Sequence, residues 1–303
     1  MTTGPRLFAA SAVERRKQRL DRIAYAVGFT AASLLIVPLA AIVGYLIVKA
    51  WPALSWELVT QNPSRFMTAG GVWAPLVGTA YVVVFSLAMA APVGVLAGIY
   101  LKEYAGDTWL TRAVYLAVMN LAGIPSIVHA LFGVGVFVLA AGWGRSVLAA
   151  SCTLAIMTLP VIITSTVEAL SAVPMTFREA CWNLGASRWQ TIRTLVLPNA
   201  MGGIFTGIIL QVSRAAGETA PILFTGAVFY LAIPETGLAA YFPYGAKDPF
   251  MALSYHLFTV SSQITGVSDS MQYATAVVLM GLVLVVNLAS IAARYRLRSR
   301  SRW

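Results

Sequence analysis

Arg214 and Glu218 stand four residues apart in an otherwise apolar stretch that begins near Thr194. On a helix they can face the same way and partly neutralise each other. A charge inside a membrane-length segment costs roughly 2.5–3.5 kcal/mol on insertion scales, so an Arg placed there is a functional candidate. Its guanidinium offers a planar fork of donors matched to phosphate-like oxygens. One reading is therefore an anion-coordinating Arg214 held by Glu218. The other is a buried pair that fixes helix packing or subunit pairing. Other chemistries find no support. The four lysines follow Arg16, Val48, Leu101 and Ala246, whereas a P-loop needs Gly immediately before its Lys. His129 is followed by Ala130 and Leu131, and His256 by Leu257 and Phe258, so neither begins a metalloprotease motif. Cys152 and Cys181 offer no metal spacing and no disulfide framework.

The elements that carry these residues follow from composition. Of 303 residues 59% are hydrophobic and 11% charged, too little polar surface to cover soluble domains of that size. Lipid is the expected solvent, and the fold class is an all-α polytopic membrane protein. A spanning helix needs roughly 20 mostly apolar residues. Charge-free runs predict six spans, from residues 23–48, 66–101, 113–144, 146–167, from 194 onward, and 271–293. The first is too long for the core of a signal peptide and reads as a retained span. Pro38, Pro92, Pro125 and Pro160 read as kinks within spans, since neighbouring helices can satisfy the freed carbonyls.

The formal charge of +10 is unevenly placed. With the N-terminus inside, sixteen of the 21 basic residues lie on the inner side against six acidic ones, and four face four outside. Short basic loops resist translocation, so both termini are expected in the cytoplasm. This divides the chain into a basic N-terminal segment (1–22), a permease domain (23–293) and a basic tail (294–303). The tails fit anionic membrane lipid. No nucleic-acid partner is expected.

Residues 168–198 form the longest inner polar stretch. Thr176 and Glu179 have capping-box spacing, predicting a helix over 177–184 that ends at Gly185. Ser187 and Gln190 repeat the device for a second helix entering the membrane. Phe177, Ala180, Cys181 and Leu184 share one face of the first helix, which either rests on its own bundle or lies across a partner. The outer loop, 234–270, shows a plausible helix start at Asp248-Pro249 running toward Gln263. Its aromatics Tyr241, Phe242, Tyr244, Phe250 and Tyr255 fit an interface belt. The depth of Arg214 is open, because twenty helical residues from Thr194 rise about 30 Å only if the membrane begins there.

The inner loop resembles that of ABC importer permeases, in which Glu-Ala-Ala is followed at fixed spacing by Gly, Ile and Leu-Pro. Here Glu179, Ala180 and Cys181 precede Gly185, Leu195, Leu197 and Pro198, with Cys181 in place of Ala and Leu195 in place of Ile. The segment from Arg214 through Glu218, Thr219 and Pro221 to Thr225 is similar to the A-type permease of the bacterial phosphate-specific transport system. So is the stretch from Asn120 through Ser126 to Gly133, although His129 and Ala130 depart from the usual pattern there. The resemblance covers nearly the whole chain. It implies a type I importer permease of the bacterial cytoplasmic membrane, carrying inorganic phosphate past Arg214, Glu218, Thr219 and Ser126. It also implies a second homologous permease, two copies of an ATP-binding subunit, one of which takes the helix of the 168–198 loop in its groove, and an external phosphate-binding protein. No cofactor is implied, and the chain is expected to catalyse nothing itself. Import of another oxyanion or small solute stays open within this class. An ion-coupled carrier acting alone would use Arg214 and Glu218 as its coupling pair, and predicts a repeat of about 12 spans that is not seen.

Overall fold

The computed structural model describes residues 12–234 and 237–300. Of the charges counted above, Arg6 and Arg302 on the inner side and Glu235 on the outer side lie outside the described residues. The chain opens with α1 (Ala12–Ala50), then α2 (Trp56–Thr60) and a short hairpin of β1 (Pro63–Ser64) and β2 (Ala69–Gly70). α3 (Trp73–Ile99) continues as a π-helical turn, Tyr100–Tyr104. α4 (Trp109–Ala122) and α5 (Ser126–Gly133) follow, the latter prolonged by π-helical Val134–Ala140. α6 (Val147–Ser171) leads into the loop helices α7 (Met175–Asn183) and α8 (Arg188–Thr191). After a π-turn at Ile192–Val196 come α9 (Leu197–Gly217), α10 (Ala220–Thr225), α11 (Leu238–Tyr241), α12 (Leu253–Ser262) and α13 (Asp269–Arg300).

Among the described residues five stretches are long and apolar enough to cross a bilayer, at residues 16–53, 73–104, 147–171, 188–217 and 269–289. The sixth is broken: α4 and α5 meet at 102°. The kink expected at Pro125 is thus a full break, whereas Pro38, Pro92 and Pro160 lie inside unbroken helices. The physical reason is local. Proline disfavours helical backbone at the residue before it, here Ile124, and Gly123 has already ended α4. Pro125 then starts α5 afresh.

The centre of the bundle is α6, packed on α3 along one side and on α9 along the other. In lipid this packing cannot draw on apolar burial from water, so it depends on close van der Waals approach, which small residues permit. Gly94 and Gly98 of α3 lie against Ile162 and Thr166, and Gly203 and Gly207 of α9 against Ala169 and Ser165. α1 packs chiefly on α13, with Tyr45 edge-on to Tyr273 at 5.9 Å, and otherwise presents its apolar surface outward. α4 buries no residue. These faces are available to lipid or a second subunit, as are the exposed apolar side chains of α3 and α5 such as Leu96 and Leu131.

One end of the bundle carries the loop helices, Lys102, Arg112, Arg188 and Arg193, and is here called the basic end. At the far end a network ties loop to bundle. The backbone N–H groups of Ser146, Val147 and Leu148, at the start of α6, donate to the carbonyls of Thr225, Asp248 and Ala246 at 3.1, 2.9 and 2.9 Å. The helix expected to start at Asp248-Pro249 begins instead at Leu253. Phe250 is held extended, its carbonyl accepting from Val228 N–H at 2.9 Å and its N–H donating to Gly226 at 3.3 Å. Of the expected aromatic belt, Tyr241 and Phe242 are exposed, but Tyr244 and Phe250 belong to the core.

Candidate functional site

Two groups of residues concentrate the chemistry. The first is at the break between α9 and α10. α9 ends at Gly217, and Glu218 turns to extended backbone (φ −70°, ψ 134°) before the chain re-enters as the six-residue α10. Arg214 lies in the last turn of α9, where the partial negative charge of a helix C-terminus favours a cation. Its Nε donates to Oε1 of Glu218 at 3.2 Å. The carboxylate is mostly covered and the guanidinium is about half exposed, with side-chain exposures of 17% and 44%. Both Nη groups lack a protein partner among the described residues. Thr219 begins α10, and its carbonyl receives Leu223 N–H at 3.0 Å.

The depth left open by the sequence follows from neighbours. Ser254 Oγ donates to the Glu218 carbonyl at 2.9 Å, and Thr79 Oγ1 accepts Leu253 N–H at 2.9 Å. Glu218, Ser254 and Thr79 line one void of about 10 Å³, room for a single water. Thr79 is six residues into α3, roughly 9 Å from its far end. Glu218 is therefore about one to two turns in from the far end, and Arg214, one turn earlier on α9, lies deeper along the axis with its side chain about half exposed. Just before it, Ser213 Oγ donates to Asn287 Oδ1 of α13, and Gln211 is buried. Ser126 is elsewhere: it opens α5, which packs on α10 and α6 rather than on α9. α10 is braced at its end by Arg145, whose Nη2 donates to the carbonyls of Leu223 (2.8 Å) and Ala227. That brace was not foreseen from sequence.

The second group is the basic-end loop. α7 starts at Met175 with Pro174 at the N-cap position, and no side chain, Thr176 included, caps it. The expected Thr176–Glu179 box is thus absent, because Pro174 restarts the helix two residues early and places Thr176 inside the first turn. The box at Ser187 and Gln190 is present, with reciprocal bonds of 3.2 and 2.8 Å. Gly185 takes the left-handed conformation (φ 84°). Its N–H donates to Trp182 O at 2.9 Å and Ala186 N–H to Cys181 O at 3.0 Å, closing α7 with a Schellman turn.

α7 faces the opposite way from a helix resting on its own bundle. Phe177 and Leu184 are 53% and 88% exposed, Glu179 and Ala180 are exposed beside them, and the residue turned inward is Arg178. Leu195 and Leu197 are half-buried against a cluster that includes Ile99, Leu170 and Val196. Pro198 is the second residue of α9; its ring conflicts with the carbonyl four residues back, at Thr194, and the π-turn Ile192–Val196 widens the backbone there.

Arg178 is the residue that sequence reasoning missed. It donates to both carboxylate oxygens of Glu103, at 2.7 and 3.3 Å, and to the carbonyls of Val173 and Leu170 at 2.6 and 2.9 Å. Both side chains are under 10% exposed. Asp107 and Arg112, nearby, also pair bidentately at 2.7 Å, and Arg112 holds the Asp107 carboxyl below its ordinary range. That pair is fully exposed and contributes little.

The chain thus combines a broken span, an outward-facing helix between two spans and a charged pair at the α9–α10 break. A family profile described as "Binding-protein-dependent transport system inner membrane component" matches residues 90–302. The chain belongs to that family. Among relatives, the "Phosphate transport system permease protein PstA 2" of Mycobacterium bovis is 31% identical over 96% of this chain and 92% of its own length. PstA of Mycobacterium leprae is 36% identical over 69% of each. The "Probable ABC transporter permease protein YqgI" of Bacillus subtilis is 29% identical over 89% of this chain and 93% of its own. Among solved structures, a chain of a bacterial ABC transporter involved in import of the acidic polysaccharide alginate aligns with a TM-score of 0.62 at 16% identity, over 93% of this chain and 98% of that one. A chain of the MetNI methionine ABC transporter aligns at 0.57 and 17% identity, over 75% of this chain and 97% of that one. As a member of the binding-protein-dependent inner membrane family, this chain is a non-catalytic, multi-pass subunit of an ABC importer with the type I permease fold. It works with a substrate-binding protein and a separate ATPase.

Proposed function

We infer that this family member carries inorganic phosphate. The observation that carries this reading is the Arg214 guanidinium, held at Nε by Glu218 and keeping both Nη groups unpaired at the α9–α10 break. A cation so placed neutralises a passing oxyanion with two parallel donors, while its partial exposure keeps the contact weak enough for release. The phosphate-system names of the M. bovis and M. leprae relatives support the same substrate. Thr219 and Ser126 are assigned to the pathway on the resemblance alone.

In this reading the basic end is cytoplasmic, together with both termini. A second homologous permease completes the pathway. Of two ATPase subunits in the complex, one seats on α7, where Glu179, Ala180 and the exposed Phe177 and Leu184 form the contact. Gly185 sets the elbow, and Leu195, Leu197 and Pro198 anchor the second arm. An external phosphate-binding protein delivers the anion to the far end. The test is uptake of radiolabelled phosphate by the reconstituted complex, with sulfate and molybdate as competitors. Arg214→Gln is expected to lower phosphate uptake by about tenfold or more, the worth of one charged hydrogen-bond pair, with ATPase association intact. Normal uptake in that variant, or uptake displaced by sulfate or molybdate as well as by unlabelled phosphate, defeats the reading.

A further inference from the structure

We propose that Arg178 and Glu103 form a pin that locks α7 to the basic ends of α3 and α6, so that displacement of α7 moves both spans as one body. This rests on α7 being the ATPase contact. One buried guanidinium makes four hydrogen bonds, and they reach two spans besides its own helix. Two go to Glu103 in the π-turn that ends α3, and two to the carbonyls of Leu170 and Val173, at and just beyond the end of α6. The Leu170 carbonyl is in the last turn of α6, where it also receives Val173 N–H at 3.3 Å, and a cation there suits the helix dipole.

Arg178 makes the side-chain hydrogen bonds that join α7 to those spans among the described residues, and Trp182 is the other partly buried large side chain of α7. The backbone neighbours of α7 are α8 and the 192–196 turn, and its only covalent tie to α6 is the short link 172–174. On one side of the pair lies an open cleft of about 430 Å³, lined by Lys102, Trp182 and Arg188 among others, so side-chain packing does not wedge the helix there. A buried ion pair is a poor source of net stability compared with apolar packing of the same volume. A bidentate pair does fix relative position, because the planar fork and carboxylate accept only a narrow range of geometries. Arg178 and Glu103 are positioning residues in this scheme: they touch neither substrate nor nucleotide.

The experiment uses the complete transporter, with its ATPase and binding protein, in proteoliposomes, and reads radiolabelled phosphate moved per ATP hydrolysed. Glu103→Gln removes the charge while keeping the shape. It is expected to lower that ratio about fivefold, the scale of a mutation along a coupling route, while ATPase subunits copurify in normal amount and ATP is still hydrolysed. Glu103→Asp, which keeps a carboxylate, is expected to retain most of the ratio. An unchanged ratio in Glu103→Gln overturns the pin, as does a loss wholly accounted for by missing ATPase subunits. A second measurement works on the permease chain alone: the rate at which a maleimide labels Cys181, on α7, in a Cys152→Ser background. Glu103→Gln is expected to raise it several-fold, and an unchanged rate overturns the pin whatever the transport result. Failure of the wild-type chain to copurify with any ATPase instead defeats the docking reading, and the transmission role with it.

Discussion

His256 is 3% exposed within α12, and its Nδ1 has no hydrogen-bond partner among the described residues. Burial pushes its pKa down to about 4 from an ordinary 6.5, so the folded protein holds the imidazole neutral. As pH falls below 6.5 the unfolded chain takes up the proton first, and stability is lost progressively until the pH approaches 4. At pH 5 the loss is on the order of 2 kcal/mol. His256→Gln removes the titration, so in detergent the wild type should lose more melting temperature between pH 7.5 and pH 5 than the variant does. Parallel losses would show that the imidazole does not titrate this way. The two arginines of the site teach a related lesson. Arg214 was legible because charge inside an apolar run is conspicuous along the chain. Arg178 was not, because it sits in a polar stretch and its partner is 75 residues away. Local pattern leaves it off the apolar face of its helix; only the fold shows that α7 turns Arg178 inward.

At the scale of elements, local rules worked wherever no neighbour competed. Ser187 with Gln190 and the glycine elbow formed as their residue types dictate, while Thr176 lost its cap to Pro174, whose fixed φ sets the helix start. Spans read from charge-free runs were recovered because lipid demands them, but the 102° break at Pro125 depends on how α5 packs against α6 and α10, which periodicity does not encode. The elbow permits a clean test. A Cβ at Gly185 would meet nothing within 4 Å, so any effect of substitution there comes from the backbone. A left-handed conformation costs an ordinary residue roughly 1–2 kcal/mol, and Asn less. Affinity of the detergent-solubilised permease for its ATPase should therefore rank Gly185, then Gly185→Asn, then Gly185→Val, the last weaker by about tenfold. Equal affinities would remove the elbow from the docking scheme.

For the molecule as a whole, α6 is the member to which both ends are tied. Arg178 grips its basic end, and the N–H groups of Ser146, Val147 and Leu148 hold its far end to α10 and the loop before α12. A displacement at α7 can reach the α9–α10 break through α6 only if α6 stays tightly seated between α3 and α9. That seat is built from glycine. A Cβ at Gly207 would come within 2.3 Å of Ser165 Cβ on α6, whereas one at Gly202, on the same helix, would meet nothing within 4 Å. Alanine favours a helix over glycine by about 1 kcal/mol, and overpacking a close contact costs roughly 1–3 kcal/mol. The two terms oppose each other at Gly207 and only the first acts at Gly202. Gly202→Ala should hold or raise the melting temperature in detergent, while Gly207→Ala lowers it by a few degrees and reduces phosphate moved per ATP. A Gly207→Ala protein as stable and as well coupled as Gly202→Ala would mean that α9 can move away from α6 without cost, and that coupling does not run through this seat.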